Sequence, residues 1–453
     1  MKILLIVIDG LGDRPIPELG NKTPLEAAKT PNLDWLAKNG ICGEIRPFQF
    51  SWQEYPASDT THLALLGYDP KIYYLGRGPY EAAGIGIKLK EGDIALRANF
   101  ATINENLNII NRRAGRIEKT QPLIKAINGI EIEGLRPSRG RGVSLRESAS
   151  RPDHHPASGP LVKFILRKSY GHRAVLVLRG LKPDVRPSEK ISDNDPKFAE
   201  VRPLQIKPLD RSKEAKFTAM VLNEFLKKAY LVLKNHPLNK KREKVGLLPA
   251  NYLLVRGAGK MRKTPSFKER YNLRAGCIAG GGLYKGIGKI LGMDEILVKG
   301  ATGFPTTNLK GKFIAAKKNL KKYDFIFLHI KAADNLAEDG NFLGKKEFIE
   351  RIDRSIKPVL SLKGVRVVIT ADHSTSCILK KHCKDPVPVL IKNFPTFGSR
   401  KGRRQVHPVK SHKAGIPPSA ELFNGVKQFS ERTCKKGKLG KFSQLNLMSK
   451  ILC

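Results

Sequence analysis

The sequence predicts an α/β fold in which a central, mostly parallel β-sheet is flanked by helices. Ile3–Ile8 is continuously apolar and ends at Asp9, and Gly364–Ile369 follows the same pattern shortly before Asp372. Continuous apolar runs of this length are typical of strands buried on both faces of a parallel sheet. Strand and helix patterns alternate at both ends of the chain, whereas the middle contains short strands, glycine turns and many arginines.

This change of pattern predicts one α/β domain that is built from both chain ends and interrupted by an inserted domain. We assign 1–72 and 212–453 to the core, and 73–211 to a smaller inserted α+β domain. The core is predicted to resume with an uninterrupted amphipathic helix over Ser212–Leu233.

The charge of the chain is its most unusual bulk property. Lys and Arg number 83 against 41 Asp and Glu, which gives a formal net charge of +42 over 453 residues. Such an excess could bind polyanions non-specifically, but the basic residues are scattered and match no nucleic-acid-binding motif, so a solvated basic surface is favoured. Two segments, 136–160 and 398–418, are basic and lack apolar periodicity, so we expect exposed, mobile loops there.

The sequence also indicates where the protein resides. No apolar run approaches the roughly 18–20 residues that a membrane span requires. The N-terminus lacks a signal-peptide pattern, because Asp9 interrupts its apolar start. The six cysteines show neither paired nor zinc-like spacing, which favours reduced thiols and a cytoplasmic protein. No oligomeric state is indicated.

Polar, metal-competent side chains follow the two apolar strands. Ligands collect at the carboxyl ends of parallel strands, so Asp9, Asp372 and His373 are expected at one edge of the sheet. Ser58 begins a helical segment and is the candidate nucleophile, although a lone serine there would more often be a helix cap. His62, on the same helix, is expected to be packed and hydrogen-bonded, and His329 to be structural or an outer contact of the site.

Several motifs together resemble the archaeal-type 2,3-bisphosphoglycerate-independent phosphoglycerate mutases of the alkaline phosphatase superfamily. In chain order the matching segments are Asp9-Gly10, the Ser58 loop, Gly76–Pro79, the Asp334 segment, Asp372–Thr375, His382 and Asp385–Leu390. The resemblance covers nearly the whole chain apart from the two basic loops. It implies a metal-dependent interconversion of 3-phosphoglycerate and 2-phosphoglycerate through a phosphoserine, in glycolysis and gluconeogenesis, without 2,3-bisphosphoglycerate.

The resemblance also implies roles for individual residues. Ser58 would be the nucleophile and a metal ligand, and two divalent ions would be bound, with Mn²⁺ favoured and Mg²⁺, Co²⁺ or Zn²⁺ as alternatives. The implied metal ligands are Asp9, Ser58, Asp372 and His373 for one ion, and Asp334, Glu338 and His382 for the other. The substrate phosphate and carboxylate would be bound by Arg77, Arg97, Arg113, His172, Arg173 and Arg256.

Glu338 departs from the family motif, which has histidine at this position. Glutamate can ligate manganese or magnesium, so the second metal site either survives with a preference for harder ions or is weakened. Two alternatives therefore stay open: a related phosphatase or phosphopentomutase of the same superfamily, and a polyanion-binding protein on a degenerate enzyme scaffold.

Overall fold

A computed structural model of the chain describes residues 1–132, 161–182, 185–395 and 426–453. The basic segments 136–160 and 398–418, for which the sequence predicts mobile loops, lie outside the described residues. In the part of the chain that the structure describes, no helix is both long enough and apolar enough to cross a membrane.

The described residues form 15 β-strands and 15 α-helices. The strands are β1 (Lys2–Ile8), β2 (Ile41–Arg46), β3 (Ile94–Ile103), β4 (Ile109–Asn111), β5 (Val162–Lys168), β6 (Arg173–Gly180), β7 (Tyr252–Lys260), β8 (Ala275–Ile278), β9 (Asp294–Glu295), β10 (Phe325–Ile330), β11 (Val365–Thr370), β12 (Ser374–Ser376), β13 (Lys381–Cys383), β14 (Val387–Phe394) and β15 (Gly440–Ser443). The α-helices are α1 (Pro24–Ala27), α2 (Pro31–Lys38), α3 (Ser58–Leu65), α4 (Pro70–Tyr73), α5 (Arg77–Gly84), α6 (Gln121–Ile127), α7 (Lys213–Asn235), α8 (Pro237–Lys244), α9 (Phe267–Tyr271), α10 (Gly282–Ile290), α11 (Leu309–Asn319), α12 (Ala332–Glu338), α13 (Phe342–Ser355), α14 (Glu431–Cys434) and α15 (Leu447–Leu452). Short 3₁₀ turns occupy Pro17–Leu19, Ala114–Arg116, Lys357–Ser361 and Gln444–Asn446.

The first compact unit, 1–74 with 264–453, is built on an eight-stranded sheet. Its strand order is β15-β2-β14-β11-β1-β10-β8-β9. Strand β1 lies near the centre and pairs in parallel with both β10 and β11, while β14 runs antiparallel to β11 and β2. The apolar side chains of β1 from Leu4 to Ile8 are fully buried, as expected for a strand covered on both faces. The predicted α/β fold with a mostly parallel central sheet is confirmed.

The second unit, 75–263, is an antiparallel sheet with helices packed against it. Strand β3 pairs with β4, β6 and β7, and β6 pairs with β5. Helix α7 contributes Phe225 to the hydrophobic core of this unit, where its ring stacks on that of Phe164 with centroids 4.1 Å apart. This unit is the smaller insertion that the fold prediction required.

The second boundary of the insertion differs from the predicted one at 211. The structure keeps α7, α8 and β7 within the inserted unit, which ends at Lys263. The predicted amphipathic helix over Ser212–Leu233 does form as α7, and the Ser212 side chain caps it by accepting a hydrogen bond from the Ala215 N–H. However, the apolar face of α7 packs against β5 and β7. Strand β7 in turn pairs along most of β3, so both elements belong to the inserted unit. An apolar helix face shows that a helix is packed, but not which sheet it covers.

Candidate active site

The fold places the polar residues that follow β1 and β11 at one edge of the sheet. Because β1 and β11 are adjacent parallel strands, Asp9 and Asp372 lie at neighbouring strand ends. Gly10, with φ of +65°, allows this close approach: a Cβ there would lie 2.6 Å from the Asp334 Cβ and 2.7 Å from the Thr375 Oγ1. The Gly10 N–H donates to Asp372 Oδ1 at 3.1 Å. The turn after β1 therefore requires glycine.

The first cluster of the site joins Asp9, Asp372, His373 and Ser58. The Nε2 atom of His373 lies 3.0 Å from Asp372 Oδ2, 3.8 Å from Asp9 Oδ1 and 3.2 Å from Ser58 Oγ. All four side chains are buried. Ser58 is the first residue of α3, and its Oγ caps no N–H of this helix, so the helix-cap alternative does not apply. The sequence predicted each of these residues, and the structure brings them together.

The second cluster joins Asp334, His373 and His382. His382 Nε2 lies 3.5 Å from Asp334 Oδ1, and the rings of His373 and His382 stack with centroids 3.7 Å apart. His382 Nδ1 lies 2.7 Å from the Pro56 carbonyl oxygen, to which it donates, so that Nε2 keeps the lone pair that faces Asp334. His373 thus belongs to both clusters.

Glu338 lies at the edge of the second cluster. Helix α12 carries both Asp334 and Glu338, so the two side chains share a helix face, as their spacing predicts. Glu338 Oε1 is 3.8 Å from His382 Nε2, and the side chain is 53% exposed. Partial desolvation of its carboxyl group and the nearby Asp334 carboxylate raise the pKa of Glu338. In the described residues, the groups compact enough to hold a metal include Asp334 and His382 but not Glu338.

Two buried histidines contact the carboxylates of the first cluster from outside. His329 Nε2 lies 3.0 Å from Asp9 Oδ2, and His62 Nδ1 lies 2.6 Å from the Ser58 carbonyl oxygen and 3.5 Å from Asp372 Oδ2. Of the described residues, none offers a hydrogen-bond partner to His62 Nε2 or His329 Nδ1. His62 is packed and hydrogen-bonded, as expected, and His329 is an outer contact of the site.

Lys331 is a site residue that the sequence reasoning missed. Its Nζ lies 3.3 Å from Asp9 Oδ1 and also pairs with Asp334 Oδ2, so one cation links the two clusters. Lys331 directly follows β10, the parallel neighbour of β1. The rule that identified Asp9, a polar side chain at the carboxyl end of a buried parallel strand, would also have identified Lys331.

Neighbouring charges together have a larger effect than burial on the pKa values of Asp9, Asp372 and His373. Burial would raise the pKa of Asp9, but Lys331 and His329 hold it well below its ordinary value. Burial would likewise raise the pKa of Asp372, yet the adjacent His373 holds it low. For His373, burial would lower the pKa, whereas Asp372 and the other carboxylates raise it to about 9. The site therefore concentrates ionised carboxylates around two imidazoles.

The donor set suits divalent cations. In a tetrahedral site with metal–ligand distances of about 2.0–2.2 Å, ligand atoms lie about 3.3–3.6 Å apart. The separation of 3.5 Å between His382 Nε2 and Asp334 Oδ1 lies within that range. The distances from His373 Nε2 to Asp372 Oδ2 and Asp9 Oδ1, 3.0 Å and 3.8 Å, lie just below and just above it. Carboxylate and imidazole ligands without a thiolate suit manganese, cobalt, zinc or magnesium. The two clusters therefore fit the metals that the resemblance implies.

The second unit carries a separate cluster of arginines. Arg97 on β3 lies directly opposite Arg256 on the adjacent antiparallel strand β7. The guanidinium groups of Arg97 and Arg77 contact the Glu81 carboxylate, at 3.6 Å and 3.2 Å respectively. Burial and repulsion by Arg77 lower the pKa of Arg97 to about 9. Arg173 acts on the same group electrostatically. Four of the predicted substrate-binding residues are thus brought together.

The other two predicted substrate residues lie beside this cluster. Burial, and then repulsion by Arg173 and Arg113, lower the pKa of His172 to about 4, so its imidazole is neutral. Arg112, which the sequence reasoning did not select, forms a bidentate pair with Asp195 at 3.0 Å and 2.7 Å. Asp195 also lies 3.4 Å from Arg256. No sequence signal distinguishes Arg112 from its neighbour Arg113.

Comparison with known proteins assigns the family. A model of the Metalloenzyme superfamily matches residues 1–450. A 2,3-bisphosphoglycerate-independent phosphoglycerate mutase from Methanococcus aeolicus is 45% identical over 415 residues, which cover 89% of this chain and 94% of the relative. A protein named 2,3-bisphosphoglycerate-independent phosphoglycerate mutase 1, from Archaeoglobus fulgidus, is 46% identical over 398 residues, 86% of this chain and 88% of the relative. The chain belongs to the 2,3-bisphosphoglycerate-independent phosphoglycerate mutase family.

Solved structures agree with this assignment. The cofactor-independent phosphoglycerate mutase from Thermoplasma acidophilum is 34% identical, with a TM-score of 0.63 over 99% of this chain and 98% of that one. A protein from Pyrococcus horikoshii is 32% identical, with a TM-score of 0.74 over 99% of this chain and 95% of that one. Membership in the 2,3-bisphosphoglycerate-independent phosphoglycerate mutase family confirms the resemblance drawn from the motifs, and membership in the Metalloenzyme superfamily supports the use of divalent metals.

Proposed function

We propose that this chain interconverts 3-phosphoglycerate and 2-phosphoglycerate as a metal-dependent, 2,3-bisphosphoglycerate-independent phosphoglycerate mutase. The observation that carries the proposal is the position of Ser58. Its Oγ lies 3.2 Å from His373 Nε2, within a buried cluster that also contains Asp9 and Asp372. A hydroxyl held among metal-competent ligands at a helix N-terminus is arranged to accept a phosphoryl group.

In the proposed reaction, Ser58 Oγ forms a bond to phosphorus and the bond from phosphorus to the 3-oxygen of the substrate breaks. The 2-hydroxyl of the same glycerate then takes the phosphoryl group from Ser58, which restores the serine. The N-terminal end of α3 offers backbone N–H groups and a positive helix dipole to the phosphoryl oxygens. Bound divalent ions would lower the pKa of the serine hydroxyl and stabilise the charge on the transferred group.

The ligand assignments rest on the two clusters. Asp9, Ser58, Asp372 and His373 would hold one ion, and Asp334 and His382, assisted by Glu338, would hold the other. A glutamate oxygen in place of an imidazole makes the second site richer in hard donors, so we infer that Mn²⁺ is preferred over Zn²⁺.

Substrate binding is assigned to the arginine cluster of the second unit. The guanidinium groups of Arg77, Arg97, Arg173 and Arg256 exceed the carboxylates that offset them, Glu81 and Asp195. A substrate with a phosphate and a carboxylate would relieve this repulsion, and arginine binds both groups with bidentate geometry. His172 and Arg113 would extend the same surface.

The decisive experiment is Ser58→Ala, measured in an assay that couples 2-phosphoglycerate formation to a chromogenic step. Mutase activity should fall by several orders of magnitude, because no other group replaces a covalent nucleophile. Mass spectrometry of the wild-type protein mixed with 3-phosphoglycerate should find phosphate on the peptide that contains Ser58. Ser51→Ala, at an exposed serine in the preceding loop, is the matched control and should keep wild-type activity. Near-normal turnover in Ser58→Ala would refute the proposal.

The same preparations separate the alternatives within the superfamily. Pentose phosphates and an aryl phosphate should be poor substrates relative to 3-phosphoglycerate. Preferred turnover of either would assign a phosphopentomutase or a phosphatase instead.

A second proposal concerns the net charge of +42. We infer that the basic surface, which includes Lys240, Lys241 and Lys244 on α8, binds polyanions non-specifically. Retention on heparin that falls steeply with salt and is unaffected by Ser58→Ala would support this. Elution near physiological salt would contradict it.

A further inference from the structure

The side chain of Thr375 lies where the two candidate metal sites meet. Its Oγ1 is 2.6 Å from Asp334 Oδ1 and 3.1 Å from His373 Nδ1. Thr375 also lies directly opposite His382 in the β12–β13 pair. One hydroxyl group therefore contacts a ligand of each cluster and sits across the strand pair from a third ligand.

The hydrogen atoms of this contact can be assigned from the partners. Asp334 pairs with the Lys331 ammonium, so its carboxylate is ionised and can only accept hydrogen bonds. The single hydroxyl hydrogen of Thr375 is therefore donated to Asp334 Oδ1. His373 Nδ1 can then satisfy the contact only as an N–H donor to Thr375 Oγ1. The hydrogen-bond chain runs from His373 Nδ1–H through the Thr375 hydroxyl to Asp334.

This chain fixes the tautomer of His373. Because Nδ1 keeps its hydrogen in this chain, the neutral form of the ring, which is the form that can bind a metal, has its lone pair at Nε2, the atom that faces Ser58, Asp372 and Asp9. Outer contacts of this kind orient ligating imidazoles and raise their basicity, and their loss typically weakens metal binding about 10–100-fold.

The position of Thr375 is itself held firmly. Its N–H donates to the Gly12 carbonyl oxygen at 2.9 Å, and its own carbonyl oxygen accepts from the buried Lys345 Nζ at 2.9 Å. The site of a Gly10 Cβ lies 2.7 Å from the Thr375 Oγ1, so the hydroxyl is packed closely against the turn that carries Asp9. A side chain held at both backbone groups and along its flank presents its hydroxyl in one place.

We propose that Thr375 is a positioning residue that sets the tautomer of His373 and couples the two metal sites through Asp334. This inference deepens the proposed function, because it rests on the same two clusters as metal sites. It concerns metal binding, so it can be tested in the absence of phosphoglycerate.

The test compares Thr375→Val, which keeps the shape and removes the hydroxyl, with Thr375→Ser, which keeps the hydroxyl. Calorimetric titration of the metal-free proteins with Mn²⁺ should show affinity lowered about 10–100-fold in Thr375→Val and within about threefold of wild type in Thr375→Ser. Thr370→Val is the matched control, because the hydroxyl of this buried threonine donates to the Pro388 carbonyl oxygen at 3.0 Å and, among the described residues, forms no hydrogen bond with a proposed ligand. Its Mn²⁺ affinity should stay at the wild-type value.

A second readout reports the tautomer directly. Nitrogen-15 NMR of the Zn²⁺-loaded wild-type protein should find the His373 hydrogen on Nδ1, and this measurement does not depend on any variant folding. The inference would be overturned by any of three results: a His373 hydrogen on Nε2, a wild-type Mn²⁺ affinity in Thr375→Val, or a loss of Mn²⁺ affinity in Thr370→Val equal to that in Thr375→Val. A wild-type protein without mutase activity would contradict the proposed function, but the metal affinities and the NMR result would still test the role of Thr375.

Discussion

Replacing Lys345 by methionine should destabilise the first unit strongly. The Lys345 Nζ is fully buried and donates to the Gly12 carbonyl at 3.1 Å, to Asp13 Oδ2 at 2.9 Å and to the Thr375 carbonyl at 2.9 Å. Methionine fills the space but leaves the buried Asp13 carboxylate without its cation. Removing one partner of a buried ion pair costs about 3–5 kcal/mol. At about 2–4 °C per kcal/mol, Tm should fall by roughly 6–20 °C.

Urea denaturation and calorimetry of metal-free protein would measure this change. The matched control is Lys346→Met, at the next position of α13, where a partly exposed Nζ lies 3.1 Å from Glu350 Oε1. That variant should lose less than about 1 kcal/mol. Adding Asp13→Asn to Lys345→Met should recover part of the loss, because the uncompensated charge is then gone. A Lys345→Met free energy of unfolding within about 1 kcal/mol of wild type would refute the argument that this buried ion pair stabilises the first unit.

Two further predictions concern the metal and the pH. Glu338→His should shift activity from Mn²⁺ toward Zn²⁺ or Co²⁺, since an imidazole replaces a hard oxygen donor, and an unchanged metal profile would mean that Glu338 is not a ligand. Burial raises the pKa of Glu431 from 4.5 to about 7. Between these values the unfolded chain has released a proton that the native protein keeps, so stability falls as pH rises, by roughly 3 kcal/mol in total. Glu431→Gln should remove this fall between pH 5 and pH 8 in urea melts; an equal fall in the variant would contradict the assignment.

The parts of the fold that the sequence predicted are those with a strong local pattern. The apolar runs ending at Asp9 and Asp372 identified β1 and β11, and the rule about carboxyl ends of parallel strands then placed both carboxylates at one edge. The domain boundary at 211 was wrong because the pairing of β7 with β3 is a long-range contact, which leaves no mark in the local sequence. The contacts of Thr375 depend equally on chain segments far apart in the sequence.

The two units differ in how they balance buried charge, within a chain whose net charge is +42. In the first unit each buried site carboxylate has a cationic partner: Lys331 for Asp9 and Asp334, and His373 for Asp372. These partners keep the carboxylates ionised, which metal binding requires.

In the second unit the imbalance has the opposite sign. Arg97 and Arg256 face each other with only the Glu81 and Asp195 carboxylates against them, and the pKa of Arg97 is lowered to about 9 by burial and by its cationic neighbours. An arriving phosphate or carboxylate would lessen this repulsion and return that pKa toward its ordinary value. If substrate binds at this cluster, as proposed, part of the repulsion among the arginines would be released on binding, which would favour the bound state over the empty one.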